Sequence, residues 1–447
     1  MKKAIVTAII FLLTFSLFAC GNNEPSGTES GVGTVQAETV NIETGDLMDP
    51  SWVKTASEDE IDKYFEVLYK EDGIDENIRA NALELFKALA LNDIKEGRNT
   101  MISPLSFMTA MGLLENGAAG NSLKEIEDAF GYSIEEFNEW YDSWSKLIML
   151  QGGDTLKVAN SVWYKNDPLL KVYSEYLEKA AMIYDAGAYK EPFDDTTLSK
   201  INDWVKTNTN EMIPQILDSI SPDSAMYLIN ATCFEGVWYK DYEEDQIKVN
   251  EIFTREDGTE ESAVMLYSRE KGGIFFENDF LTGTSKEYKN GFRISFLLPK
   301  EGVTLEDAVT KLQGDELSRL IIEGETTDVD IVIPEFSFDY TAPDCITALK
   351  EMGIKTVFDK ETADLSNMAV REDKYNLYVD TLIHKTRIEL DREGTKAYAA
   401  TAIGITGTAI MIDVPIKEVR LDRPFIFVIS DSNTLTPIFI GTVGNLS

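Results

Sequence analysis

A single histidine, His384, and three cysteines are all that 447 residues hold of these two types. One histidine excludes any metal site that needs two. It also limits a Ser-His-Asp triad to that one residue. Three cysteines cannot make a disulfide scaffold. Basic residues are scarce as well: 41 Lys and Arg stand against 78 Asp and Glu, a net charge of −37. So acidic a chain repels phosphate backbones, which argues against a nucleic-acid partner. Gly-x-Ser-x-Gly, a Walker loop and His-Glu-x-x-His are all missing, so no enzyme class or cofactor is indicated. Disorder of most of the chain is excluded by what is present, 43% hydrophobic and 10% aromatic residues. No fixed-period repeat appears.

The first residues read as an export signal. Lys2 and Lys3 precede an apolar run from Ala4 to Phe18, followed by Ala19, Cys20 and Gly21. The run is too short to cross a ~30 Å hydrocarbon core comfortably, so a signal peptide over 1–19 is expected. A small residue directly before Cys20 resembles the bacterial lipobox, which implies lipidation of Cys20. A signal peptide cut elsewhere is the alternative. Asn22 to Met48 is rich in Gly, Thr, Ser, Asn and Glu. It cannot bury enough surface to offset its chain entropy. Residues 20–56 are therefore expected to be a flexible tether, and 57–447 one large domain. Such a protein would sit on the extracellular face of a bacterial membrane, held only by its lipid anchor, or be secreted. Cys233 and Cys345 read as buried small residues rather than a disulfide.

Ser57 followed by Glu60 has a capping-box pattern and opens a helix to Tyr69. Helical spacing continues over Glu76–Ile94, Met108–Leu114, Leu123–Phe130 and Ile134–Leu150. Strands are expected at Leu156–Tyr164 and then, from Met226 onward, in close succession. They are Met226–Phe234, Gln246–Thr254, Ser262–Tyr267, Ile274–Glu277, Gly291–Leu298, Val329–Phe338 and Tyr375–Leu390, with Glu418–Leu421, Phe425–Ser430 and Pro437–Val443 at the end. Strands this close, without regular helical crossovers, predict an α+β fold with mostly antiparallel sheets. Gly394 to Val414 fits neither pattern. It is small, β-branched and almost uncharged, a sequence fit for a strand placed where a loop belongs. Such a conflict between local and global preference marks a functional site.

From about Asn77 onward the chain resembles the serpin family. The resemblance rests on ordered segments: Asn99 to Ser106, Asn116 to Ser122, Asn160 to Trp163, Ile201 to Val205, Asn230 to Trp238 and Leu297 to Lys300. His384-Lys385, Glu393-Gly394-Thr395, Arg423-Pro424-Phe425 and Gly441-Thr442-Val443 complete it. It implies three mostly antiparallel sheets, about eight or nine helices and an exposed reactive loop. The implied activity is irreversible, suicide-substrate inhibition of a serine protease. A protease would cut the loop, form an acyl-enzyme, and be trapped as the loop enters the largest sheet as a new central strand. A non-inhibitory surface protein on the same fold, with a binding role, is the alternative.

Insertion needs small side chains on the inward face of the new strand. Behind the hinge residues Glu393 and Gly394, that face would be Thr395, Ala397, Ala399, Thr401 and Ile403. Lys396 and Tyr398 depart from the family's Glu and Ala, but both lie on the outward set. Fourteen residues past Gly394 the resemblance places the cut at Thr408–Ala409, with Ala409, Ile410, Met411 and Asp413 as other candidates. These residues are mostly small and uncharged, which points to an elastase-like protease held in a covalent complex. The resemblance also implies a sheet-opening cluster of Ser103, Ser106, Asn230 and His384, with Trp238 at the top of the sheet where insertion begins. The inhibitor is expected to be a monomer with no metal and no cofactor.

Overall fold

The computed structural model describes residues 57–70, 73–152, 155–221, 223–373, 376–395 and 416–446. Helices α1 (Glu58–Leu68) and α2 (Ile74–Lys95) lead to β1 (Thr100–Ile102), α3 (Pro104–Glu115), α4 (Gly120–Phe130) and α5 (Ile134–Gly152). Next come β2 (Leu156–Lys165), β3 (Leu170–Val172), α6 (Ser174–Tyr184), β4 (Ala186–Glu191) and α7 (Asp195–Asn208). Strands then dominate: β5 (Met226–Phe234), β6 (Gly236–Val237), β7 (Ile247–Thr254), β8 (Glu260–Glu277), β9 (Leu281–Glu287) and β10 (Phe292–Pro299). Two short helices, α8 (Leu305–Lys311) and α9 (Glu316–Ile322), precede β11 (Glu325–Pro334) and β12 (Phe336–Thr341). The chain closes with α10 (Cys345–Glu351), β13 (Ala369–Arg371), β14 (Lys385–Leu390), β15 (Gly394–Thr395), β16 (Lys417–Arg420), β17 (Phe425–Asp431) and β18 (Pro437–Val443). The fold is α+β, with ten α-helices among the described residues. Pairing there is antiparallel except at β2/β4 and β11/β16.

The nine-stranded sheet runs β1-β18-β17-β10-β9-β8-β11-β16, with β7 on the flank of β8. Every residue of β17 and β18 is buried, which explains their unbroken apolar runs. β8 is one strand where two were expected. Gly272 takes a positive φ of 63°, and the register slips opposite Thr327–Val329, so a bulge bends the strand without ending it. The reverse happens at Glu335. The expected strand Val329–Phe338 breaks there, and β11 and β12 belong to different sheets.

Two further sheets position the site. One is β4-β2-β5 and the other β12-β14-β15-β6. Helix α3 carries no charged residue before Glu115 and is buried almost throughout, as a helix beneath a sheet must be. Ser103 caps it, its side chain accepting from the Ser106 N–H, and Pro104 takes the first helical position. On the other side, Ile201 and Val205 of α7 pack with Trp163, Tyr227 and Ile229 of the three-stranded sheet. Cys233 and Cys345 are both buried and in no disulfide among the described residues, and burial pushes the Cys345 thiol up to about 12. Helix α1 is held to α5 by the Lys146 ammonium 5.3 Å over the Tyr64 ring, and Lys70, two residues past the end of α1, pairs with Glu139 of α5 at 2.9 Å.

Gly283 of β9 lies pinned between neighbours. A methyl group there would sit 2.3 Å from the Phe296 carbonyl and 2.3 Å from the Phe276 ring. Gly283→Ala is expected to destabilise the protein by ~1–3 kcal/mol, measured by chemical denaturation. An unchanged midpoint would contradict the packing described.

Candidate functional site

β5 and β6 are separated only by Glu235, so one continuous stretch, 226–237, belongs to both smaller sheets. At its upper end it joins β15 and β14 through β6. Below, it stands apart from them. The expected strand Tyr375–Leu390 therefore pairs only over Lys385–Leu390, and 376–384 join no sheet. An opening lies between these two halves, outside the nine-stranded sheet.

Between the halves is a cavity of about 780 Å³. Residues 225–230 line one side, 376–386 the other, and Phe107, Met111 and Leu114 of α3 form part of the floor. Nine residues on the 376–384 flank correspond to ~30 Å of strand. Some backbone groups of this flank are bonded away from the cavity: the Val379 N–H donates to the Val357 carbonyl, and the His384 carbonyl accepts from the Ala342 N–H, both at 3.0 Å.

Ser103, Ser106, Asn230 and His384 come together at this opening. His384 lies just before β14, and its Nε2 accepts from the Ser103 N–H at 2.9 Å, leaving the proton on Nδ1. The Ser106 hydroxyl donates to Asn230 Oδ1, which also accepts from the Thr232 hydroxyl at 3.1 Å. Asn230 Nδ2 donates to Asn160 Oδ1 on β2 at 2.7 Å. The cap of α3 thus bonds both flanks of the opening at once. Burial holds the His384 imidazole down at about 4.

The upper end is closed by the hinge. Asp391 Oδ1 accepts from the N–H groups of Glu393 at 2.7 Å and Gly394 at 3.2 Å, reversing the chain after β14. Gly394 has φ 148°, and a methyl group there would lie 2.0 Å from the Gly236 carbonyl oxygen. Only glycine lets β15 approach β6 so closely. Gly394 pairs with Val237 and Thr395 with both Gly236 and Leu390, so two hinge residues already lie between the halves. Thr395 is buried, its hydroxyl 2.6 Å from that of Tyr288. Trp238 stacks on Tyr288 at 4.6 Å and donates its indole N–H to the Asp391 carbonyl at 2.9 Å.

Sequence reasoning missed three contributors here. Tyr288 lies 107 positions from Thr395. The Arg392–Glu335 ion pair, at 2.9 Å, spans 57 positions. Lys286, almost wholly buried, pairs with Glu270 at 2.6 Å and lies 5.4 Å over the Trp238 ring. No local signal marks any of these. The candidate bond Thr408–Ala409 and the hinge residues Ala397, Ala399 and Thr401 fall outside the described residues, as does Cys20. Among the described residues there is no cluster of three or more His, Cys, Asp or Glu suited to a metal, and no helix long and apolar enough to cross a membrane.

Two sheets joined at their upper end and parted below it, over a buried helix, make up this site. Comparison with known proteins gives the family. The family model for serpins (serine protease inhibitors) matches residues 76–446. Neuroserpin of Rattus norvegicus is 28% identical over 368 residues, covering 78% of this chain and 86% of its own. The crystal structure of tengpin, a thermophilic serpin, in its native state superposes with a TM-score of 0.74 at 34% identity, over 84% of this chain and 95% of its own. Human thyroxine-binding globulin complexed with its hormone shares the fold, with a TM-score of 0.71 at 21% identity, over 85% of this chain and 100% of its own. The chain belongs to the serpin family, whose members are in general protease inhibitors.

The His384 environment sets a pH dependence. The folded protein keeps the ring neutral down to about 4, whereas an unfolded chain takes up the proton near 6.5. Stability contributed by the neutral ring is therefore intact above pH 6.5 and lost as pH falls toward 4. The span amounts to about 3 kcal/mol at most. His384→Gln is expected to flatten this part of the pH–stability curve. Parallel curves for the two proteins would show that His384 does not carry it.

Proposed function

We propose that this serpin is an irreversible inhibitor of serine proteases with an elastase-like preference. The protease serine attacks the Thr408 carbonyl, and the Thr408–Ala409 C–N bond breaks. Ala409 leaves as a new amino terminus with the transferred proton, and Thr408 remains as an ester on the enzyme. Residues from Thr395 to Thr408 then enter the opening between β5 and 376–386 as a strand of ~45 Å. The protease is carried with them and its ester is not hydrolysed. The observation that carries this reading is the opening itself, which lies between two sheets and already holds Gly394 and Thr395 at its top. Each new ladder bond adds ~1 kcal/mol net and each inward side chain a similar amount. The sum is comparable to a whole domain's usual ~5–15 kcal/mol, so the uncut form stores the driving force.

The network of Ser103, Ser106, Asn230 and His384 acts as the clasp that lets the halves part. Trp238 and Tyr288 seat the hinge. In the same reading, residues 1–19 are a signal peptide and Cys20 carries lipid. Residues 20–56 tether the domain 57–447 to the outer face of a bacterial membrane, where the inhibitor works as a monomer.

The test is incubation with elastase-like proteases. An SDS-resistant complex is expected, with a released C-terminal peptide that begins at Ala409 by mass spectrometry. Cleavage without any complex would instead favour a non-inhibitory binding protein on the same fold. Thr395→Arg would force a guanidinium into the buried position against Tyr288, and is expected to convert the inhibitor into a substrate that leaves no stable complex. Loop cleavage of the unaltered protein is expected to raise the thermal midpoint sharply. An unchanged midpoint would refute the stored driving force.

A further inference from the structure

A second cavity, of about 60 Å³, lies away from the opening, where α5 and the end of α6 pack beside β2. Tyr141, Trp144 and Ile148 line it from α5, Val158 from β2 and Ile183 from α6. Tyr141, Trp144 and Ile148 are buried, whereas Val158 and Ile183 are half-exposed, so the slot is open to solvent. Among the described residues its one charged lining member is Asp185. None of its residues lines the opening between β5 and 376–386.

Asp185 closes α6 in the left-handed region, with φ 52° and its N–H donating to the Ala180 carbonyl. Glycine and asparagine fill such a position without charge. A carboxylate there faces the carbonyl end of a helix, a place that favours cations. Burial pushes the Asp185 carboxyl up to about 7, and no lining residue is a cation. Lys146 of α5 is taken by Asp142 at 2.5 Å. Tyr141 and Tyr184, the other titratable lining groups, are both held above the usual phenol range by burial. The backbone at this corner is pinned. Asn160 Nδ2 donates to the Tyr184 carbonyl at 2.8 Å, and the Tyr184 hydroxyl donates to Asn138 Oδ1 at 2.6 Å. A fixed acid thus stands beside an apolar, aromatic slot with no counter-ion lining it.

We propose that this slot is a binding site for a short primary alkylammonium ion, its ammonium on the Asp185 carboxylate and its alkyl chain among Trp144, Ile148 and Val158. A benzene ring needs a void of roughly 150 Å³, so the size selects a chain of about three carbons. Aromatic walls add to the attraction for a cation. Pinned walls lower the ordering cost, which weighs heavily on so small a ligand.

The full chain is titrated with n-propylammonium and, as its neutral isostere, 1-propanol, each affinity being read by ligand-observed NMR. An alkylammonium keeps its charge, as lysine does, up to about pH 10, so any pH dependence below that belongs to the protein. At about pH 8.5 the cation is expected to bind at least tenfold more tightly than the alcohol. That ratio is expected to fall toward unity by about pH 5.5, as Asp185 takes up its proton. Asp185→Asn keeps the left-handed turn, which asparagine adopts readily. It is expected to remove the preference at every pH while leaving the alcohol bound as before. Val158→Phe, which fills the slot, is expected to abolish binding of both. An unchanged thermal midpoint verifies that each variant folds, and Asp185→Asn decides alone if Val158→Phe does not. Absence of binding, equal affinities at about pH 8.5, or a preference that survives in Asp185→Asn overturns the site. No protease enters either titration, so the result is independent of the trapping mechanism.

Discussion

Two stretches of chain, β5 and 376–384, that face each other without pairing are the constraint on which the rest of this molecule depends. Every ladder bond left unmade forgoes ~1 kcal/mol, and an unpaired edge invites any strand that can reach it. The fold tolerates the parting because helix α3 underlies both halves and its cap bonds to each. Ser103 takes the His384 side through its backbone N–H, and Ser106 takes the Asn230 side through its hydroxyl. A few polar contacts borne by a helix stand where a row of strand–strand bonds would otherwise lie.

The upper end shows how the same edges are kept in register. Gly394 can approach the Gly236 carbonyl because it has no side chain, and Thr395 follows it into a buried position against Tyr288. Trp238 holds the turn from below through the Asp391 carbonyl, while Arg392 is held outside by Glu335. The buried Lys286–Glu270 pair lies beneath the same indole. Burial works to raise the Glu270 carboxyl, but the Lys286 ammonium outweighs it and holds the group below its usual range. The hinge therefore rests on a rigid, aromatic and charged floor contributed by strands remote from it in sequence.

Much of this was legible in the residues. The α+β class followed from closely spaced strand patterns, and pairing among the described residues is antiparallel at all but two of the strand pairs. The family motifs ran in order through the region that the serpin model matches. Other features were not legible, for identifiable reasons. Val329–Phe338 is one apolar run, and nothing local shows that Glu335 changes sheets. Ser262–Tyr267 and Ile274–Glu277 looked separate because Gly272 and Gly273 usually end strands, yet β11 pairs on both sides of the bulge. Tyr375–Leu390 has strand character along its whole length, and whether a strand pairs depends on a neighbour.

What the order of residues settled is local: which stretches favour helix or strand, and the small or β-branched side chains at alternate positions from Thr395 to Ile403. Those follow from φ/ψ preference and side-chain volume, properties that each residue carries with it. What only the assembled chain decided is which edges remain open and what holds them. The contacts of Tyr288 with Thr395, of Arg392 with Glu335 and of Ser103 with His384 join positions 107, 57 and 281 residues apart. No local rule reaches that far, because such contacts exist only once the sheets have packed.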